Sequence, residues 1–342
     1  MITLLVLGVP AEADVPGNSA PLFAADDILD VTIQAPFARI MRERLKEEDT
    51  PAVLTYETAD DGAVSLEIGI RTRGNYRNQW RVCPFAPLRL NFKKATVKDT
   101  VFAGTDKIKL VTHCRSGPKS FQQTLLREYL AYRVLNIMTD NSYRVRLLRI
   151  QYVDTDDGDT NADNFAFLIE HRDQLANRVG LAASDVDSVL AADLEPVNTN
   201  LGSVFQYLIG NTDFSPVAGA KNEPCCHNYT ILGSEAGTIL AVPYDFDMSG
   251  WVNATYATPN PKLRLRNVRQ RLYRGRCENN AQLVTSLRAF RDKQPEIVKL
   301  IAELAPLANS TRKQLTRYMN DFYEIIEDPK AVESRLVAAC IS

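Results

Sequence analysis

"LAVPYDFDMSGW", residues 240–251, is an apolar strand that runs into two aspartates one residue apart, Asp245 and Asp247. What surrounds it decides the fold. A buried strand ending in Asp-x-Asp can present a phosphoryl nucleophile. In a sugar-nucleotide transferase the same pair would hold a divalent ion. Both uses want an α/β sheet, with strands and helices alternating along the chain. From about residue 262 onward the periodic segments are all helical, with candidates near 281–292, 293–305, 309–326 and 330–340. No strand run follows the aspartates, so the phosphatase reading is poor. The first half reads as antiparallel hairpins, so the transferase reading is weak too. A polar turn is the plain remaining alternative.

Working back from the aspartates, "NYTILGS" (228–234) and "GTILAVPYD" (237–245) form a short hairpin, and "SVFQYLIGNTD" (203–213) is a helix running into a loop. The first half is rich in strands. Segments 30–36, 52–58, 63–74, 86–93, 106–114, 143–154 and 164–170 carry strand patterns, and an Asp-Asp-Gly turn joins the second to the third. Two helices interrupt them. "FARIMRERLK" (37–46) is short and amphipathic, whereas "KSFQQTLLREYLAYRVLNIM" (119–138) keeps apolar residues at helical spacing throughout. The order predicts an α+β chain: a β-rich part over 28–172 with one long helix, then a mostly helical part over 173–342 with a small β-hairpin.

Composition sets outer bounds. The chain has 342 residues, 45% apolar and 24% charged, with a formal net charge of −2. That is ample for a buried core, and no global basic field recruits nucleic acid or anionic membrane. The apolar run Ile2–Val9 is too short to span a bilayer. With Ala11–Ala13 after it, segment 1–20 reads as a signal peptide, a disordered N-terminus being the alternative. The expected location is periplasmic or secreted, with the cytoplasm as the alternative. Six cysteines and no C-x-x-C spacing argue against structural zinc and for disulfides. Cys83 and Cys114 flank neighbouring strand candidates, and Cys277 and Cys340 bracket the C-terminal helices; these are the expected pairs. Cys225 and Cys226 are left over, bridged or free. The tract "DTDDGDTNAD" has its glycine one place early for a calcium loop and lies between strands, so it reads as a solvated hairpin loop. "RNVRQRLYRGR" (266–276) reads as a solvated helix face.

Asp213, Asn228 and Asp245 follow one another in the order that phosphoryl transfer requires. One carboxylate accepts the proton of an attacking hydroxyl, while an amide oxygen and a second carboxylate hold magnesium against nucleotide phosphates. Asp247 is a further candidate ligand. Lys107 and Lys109 share one face of a strand. Glu128, inside the long apolar helix between Leu126 and Leu130, wants a cation.

The succession "RTRGN" (71–75), "PLRLNF" (87–92), "KIKLVTHCR" (107–115), "LLREYLAYRVL" (125–135), "FAFLIE" (165–170), "QYLIGNTD" (206–213), "HNYTIL" (227–232) and "VPYDFDMSG" (242–250) resembles the spore-coat protein kinase H (CotH-type) family of atypical protein-kinase-like phosphotransferases. Its "NTD…N…PYD" part is also similar to HipA-type kinases, and the whole is similar to a widespread group of uncharacterised proteobacterial proteins. The resemblance covers roughly residues 65–250. It implies a bilobal protein-kinase-like fold with an antiparallel β-rich N-lobe and a helical C-lobe. It further implies ATP and Mg2+ as cofactors, and a protein or small-molecule hydroxyl as substrate. Asp213 would be the catalytic-loop carboxylate, Asn228 and Asp245 metal ligands, and Glu128 the helix glutamate. Lys109 or Arg89 would be the phosphate-binding cation, with Arg73, Gly74 and Asn75 as a phosphate-covering turn. The sequence departs from the protein-kinase pattern in three places: fourteen residues stand between Asp213 and Asn228, no glycine-rich loop of the G-x-G-x-x-G kind occurs, and aspartate replaces the glycine of Asp-Phe-Gly. A non-catalytic binding or assembly module in the cell envelope is the alternative.

Overall fold

The computed structural model of the protein describes residues 20–58, 62–220, 223–233, 237 and 239–342. The expected leader lies outside these residues except for Ala20, and so do Asp60 and Asp61 of the first hairpin turn. The first part contains β1 (Leu29–Ala35), α1 (Phe37–Glu43), β2 (Thr50–Thr58), β3 (Gly62–Thr72), β4 (Leu88–Phe92), β5 (Lys107–Val111), α2 (Lys119–Met138), β6 (Val145–Asp154) and β7 (Thr160–Ile169). These seven strands close into a barrel in the order β1-β2-β3-β4-β5-β7-β6.

Closure corrects the expected kinase-like lobe of antiparallel strands. β1 pairs in parallel with β6, Leu29 opposite Leu148 through Ala35 opposite Asp154. The other barrel pairs are antiparallel. Alternation in a sequence tells which face of a strand is buried, not which distant strand it joins. A barrel of this kind leaves no open edge, so the architecture is a closed mixed barrel followed by helices, not a bilobal kinase fold.

The alternation sorts side chains between two cores. On β4 and β5, Leu88, Leu90, Ile108 and Leu110 point into the barrel with Ile33, Leu54 and Ile68. On β7, Ala166 and Leu168 point inward, while Phe167 and Ile169 face outward and pack with α2. The second core joins α2 to α4 (Pro196–Ile209), α5 (Leu283–Glu303) and α6 (Asn309–Glu327). α2 starts after Pro118 and runs over the predicted range.

The second part also holds α3 (Arg172–Arg178), β8 (Ala182–Ser184), β9 (Tyr229–Gly233), β10 (Ile239–Pro243) and the short α7 (Pro329–Val332). β8 adds a third strand to the expected hairpin, in the order β10-β9-β8. The helix candidates near 281–292 and 293–305 are one helix, α5, with Pro295 inside it. Leu287, Phe290, Ile297 and Ile301 are buried on both sides of the proline and carry the helix across it. Segment 266–276 contains no helix. Disulfides join Cys83 to Cys114, Cys277 to Cys340, and Cys225 to Cys226. Bonds of this kind persist in oxidising compartments. Among the described residues no helix is long and apolar enough to cross a membrane.

Candidate functional site

A cleft of about 930 Å3 lies between the outer barrel wall and the second part. On β4 and β5, Leu90 and Ile108 fill the barrel, so their alternates turn outward, and Arg89, Lys107 and Lys109 line the cleft. Arg89 stands directly opposite Lys109 in the β4–β5 ladder. Like charges so placed repel each other. Arg73, just past β3, joins them, and its buried Nε has no hydrogen-bond partner. No ion pair joins Arg73, Arg89, Lys107 or Lys109 to a carboxylate among the described residues. Burial, then the charges of Arg73 and Arg89, push the Lys109 ammonium down to about 8, opposed by Asp245. Its Nζ sits 4.7 Å from the centre of the Tyr244 ring. Gly74 and Asn75 also line the cleft; Asn75 accepts from Lys46 at 3.1 Å.

The acidic side comes from two turns. α4 ends at Gly210, in the left-handed region at φ 61°, where a Cβ would collide with the Tyr318 hydroxyl. The chain then turns, and the Asp213 N–H donates to Asn211 Oδ1 at 3.0 Å. Arg274 clamps this turn by donating to the carbonyls of Thr212 and Phe214 at 2.7 and 3.0 Å. The basic run thus serves the loop that carries Asp213, where the sequence suggested a solvated helix. Asp213 Oδ1 meets His227 Nε2 at 2.8 Å, which raises the histidine's pKa. Asn228 Nδ2 donates to the Asp213 carbonyl at 2.7 Å and to its Oδ2 at 3.3 Å.

The second turn follows β10, which stops at Pro243. Asp245 has φ 62° and Asn228 φ 57°, both in the left-handed region that non-glycine residues seldom occupy. Such backbone persists where the surroundings over-determine it. Here the Asp245 N–H donates to the buried Tyr132 hydroxyl of α2 at 2.8 Å. Phe246, fully buried, packs on Tyr132 and Phe205 at ring distances of 4.6 and 5.2 Å. The Tyr244 N–H donates to the Asn228 carbonyl at 3.0 Å and ties the two turns together. Asp213, Asn228, Asp245 and Asp247 all line the one cleft.

Glu128 does not line it. The glutamate is buried beneath, and its cation is Arg77, from the segment after β3, rather than Lys107 or Lys109. Arg77 reaches Glu128 at 2.8 and 3.2 Å, Asp245 Oδ1 at 3.0 Å and Asp247 Oδ2 at 3.2 Å. Burial pushes the Asp247 carboxyl up to about 8, opposed by Arg77 and reinforced by Asp245 and Glu128. Asp247 also hydrogen-bonds Tyr256.

Sequence reasoning missed Arg77, Arg274 and the role of His227. The demand of Glu128 for a cation could have found Arg77, which lies in an arginine-rich stretch beginning at Arg71. No group of three or more His, Cys, Asp or Glu side chains that could hold a metal ion occurs among the described residues. Among the described residues no hydrogen bond reaches Asn228 Oδ1 or Asp245 Oδ2, one amide oxygen and one carboxylate oxygen of the kind a hard cation takes. No protein family, curated protein or solved structure matches this chain.

Proposed function

We propose that the cleft binds ATP with magnesium and transfers a phosphoryl group to a hydroxyl of a protein or small molecule. The observation that carries this reading is the Arg89–Lys109 pair, two like charges face to face with no ion pair to a carboxylate among the described residues, in the cleft that Asp213 and Asp245 also line. A polyanion relieves that repulsion. Lys109, Arg73, Arg89 and Lys107 would take the phosphates, with the Gly74–Asn75 turn beside them. Asn228 and Asp245 would hold magnesium through Oδ1 and Oδ2 respectively. When bound, the ion neutralises charge on the phosphates. Asp213 accepts the proton of the attacking hydroxyl; each of its oxygens keeps an acceptor site beyond its present bond. The disulfides support a periplasmic or secreted location.

Engagement of both Asp213 oxygens, by His227 and Asn228, favours a second reading: an envelope module that binds a phosphate ligand without turnover. Thermal melting with millimolar ATP and magnesium separates these from no binding at all. Ligand at about a hundred times its Kd stabilises by about 2.7 kcal/mol, a rise of several degrees. The rise should need magnesium and vanish in Asp245→Ala. No shift at millimolar nucleotide removes both readings. A shift without phosphoryl transfer to any hydroxyl tested leaves the binding module.

A further inference from the structure

Arg77 holds an unusual position. Its three guanidinium nitrogens meet three carboxylates drawn from α2 and the turn after β10. Nη1 meets Glu128, Nη2 meets both Glu128 and Asp245, and Nε meets Asp247. The side chains of Arg77, Glu128 and Asp247 are 10%, 3% and 7% exposed, whereas that of Asp245 is 40% exposed. One fixed cation therefore serves three acids: Glu128 is buried beneath the cleft, Asp247 lines it while nearly buried, and Asp245 is the most exposed.

We infer that Arg77 is a resident cation, standing among Glu128, Asp245 and Asp247 in the role a second divalent ion would otherwise fill, and that it positions Asp245. With Arg77 in place no group of three such side chains can hold a metal ion among the described residues; without it, three acids would border one vacated space, an oxygen-rich setting of the kind hard divalent ions select. A guanidinium fills it permanently, with directed bonds that a free ion lacks. Arg77 holds Asp245 by Oδ1, and Asp245 lines the cleft. That hold matters through the phosphoryl-transfer reading; the counter-ion role stands without it.

Removal of the cation and its replacement by metal test this. In chelator, Arg77→Ala should melt about 5 °C or more below the wild type, because three acids lose their partner. Millimolar Mn2+ should return at least half of that loss while moving the wild type far less. Adding Asp247→Asn should weaken the Mn2+ response by about tenfold. Terbium luminescence, sensitised by nearby Tyr256, should appear in Arg77→Ala and not at this cluster in the wild type. Melting like the wild type, or a loss that neither Mn2+ nor Ca2+ restores, overturns the inference. If Arg77→Ala does not fold, the variant Arg77→Met, Glu128→Gln, Asp247→Asn decides. Its folding supports a charge role for Arg77, and its failure assigns Arg77 to packing. None of these readouts needs nucleotide, so a wild type that ignores ATP sinks the function proposed above and leaves this inference intact.

Discussion

Two buried arginine–glutamate pairs flank the cleft, and they are built differently. Arg178, at the end of α3, meets Glu170 through Nε and Nη2 at 3.0 and 2.9 Å. It also donates to the carbonyls of Asp140 and Ser142 at 2.8 and 2.7 Å. Glu170 in turn accepts from the Arg144 N–H at 3.0 Å. One positive charge meets one negative charge, both sealed, with hydrogen bonds all round. Arg77 instead serves three acids, and two of these, Asp245 and Asp247, line the cleft. The balanced pair fastens β7 to α3 and the chain after α2. The unbalanced one gathers three acids around one cation, and the most exposed of them, Asp245, stands where a ligand can reach it. One arginine is closed within its own pair and the other reaches acids on the cleft, though a sequence presents the two alike.

The contrast breaks first at Arg178. Arg178→Ala should cost about 3–5 kcal/mol, because Glu170 is left buried without its cation. Urea unfolding measures it, and neither nucleotide nor metal should recover it. A loss under about 1 kcal/mol would mean that water reaches Glu170 and that the pair is not sealed. Asp245→Asn should show the reverse pattern. Asparagine tolerates the left-handed backbone at this position, and removing one of three crowded acids offsets the lost bond to Arg77. Stability should change by less than about 1 kcal/mol, while phosphoryl transfer falls by about a hundredfold or more. Equal losses of stability and activity would erase the distinction between the two clusters.

Much of this was legible in the sequence where the signal was local. Pro118 and a steady 3.6-residue stripe predict α2 over its observed range. Alternation placed the barrel strands within a few residues, and it set Lys107 and Lys109 on one face. The order of Asp213, Asn228 and Asp245 along the chain grouped three residues that do share a cleft. Barrel closure was not legible, because β1 and β6 are separated by six other elements and periodicity carries no information about partners. Pro295 reads as a break, yet apolar residues on either side of it hold α5 together. Arg77 escaped because it sits in a polar stretch without periodicity, where solvated turns are the ordinary reading. Its role depends on Glu128, about fifty residues on, and on Asp245, far beyond that.

The smallest effect concerns the open wall of the cleft, which neither arginine cluster neutralises. Lys109 is held down near 8 by burial and by Arg73 and Arg89. Its folded pKa is therefore below its ordinary value of 10.5. The sign follows from linkage: the fold favours the neutral amine, so this lysine's contribution to stability is full above 10.5 and is lost as pH falls through 8. A phosphate ligand favours the ammonium instead. ATP should therefore bind more tightly at pH 7 than at pH 9.5, by several-fold, with proton uptake on binding near pH 8. Calorimetry in buffers of different ionisation heat reads that proton directly. Lys109→Arg should bind at both pH values without the slope, since a guanidinium stays charged. Lys109→Met should bind weakly at both. A wild-type affinity that stays flat from pH 7 to 9.5 would show that Lys109 does not face the phosphates. The charge that answers the acidic side of the cleft would then have to come from Arg73 and Arg89 alone.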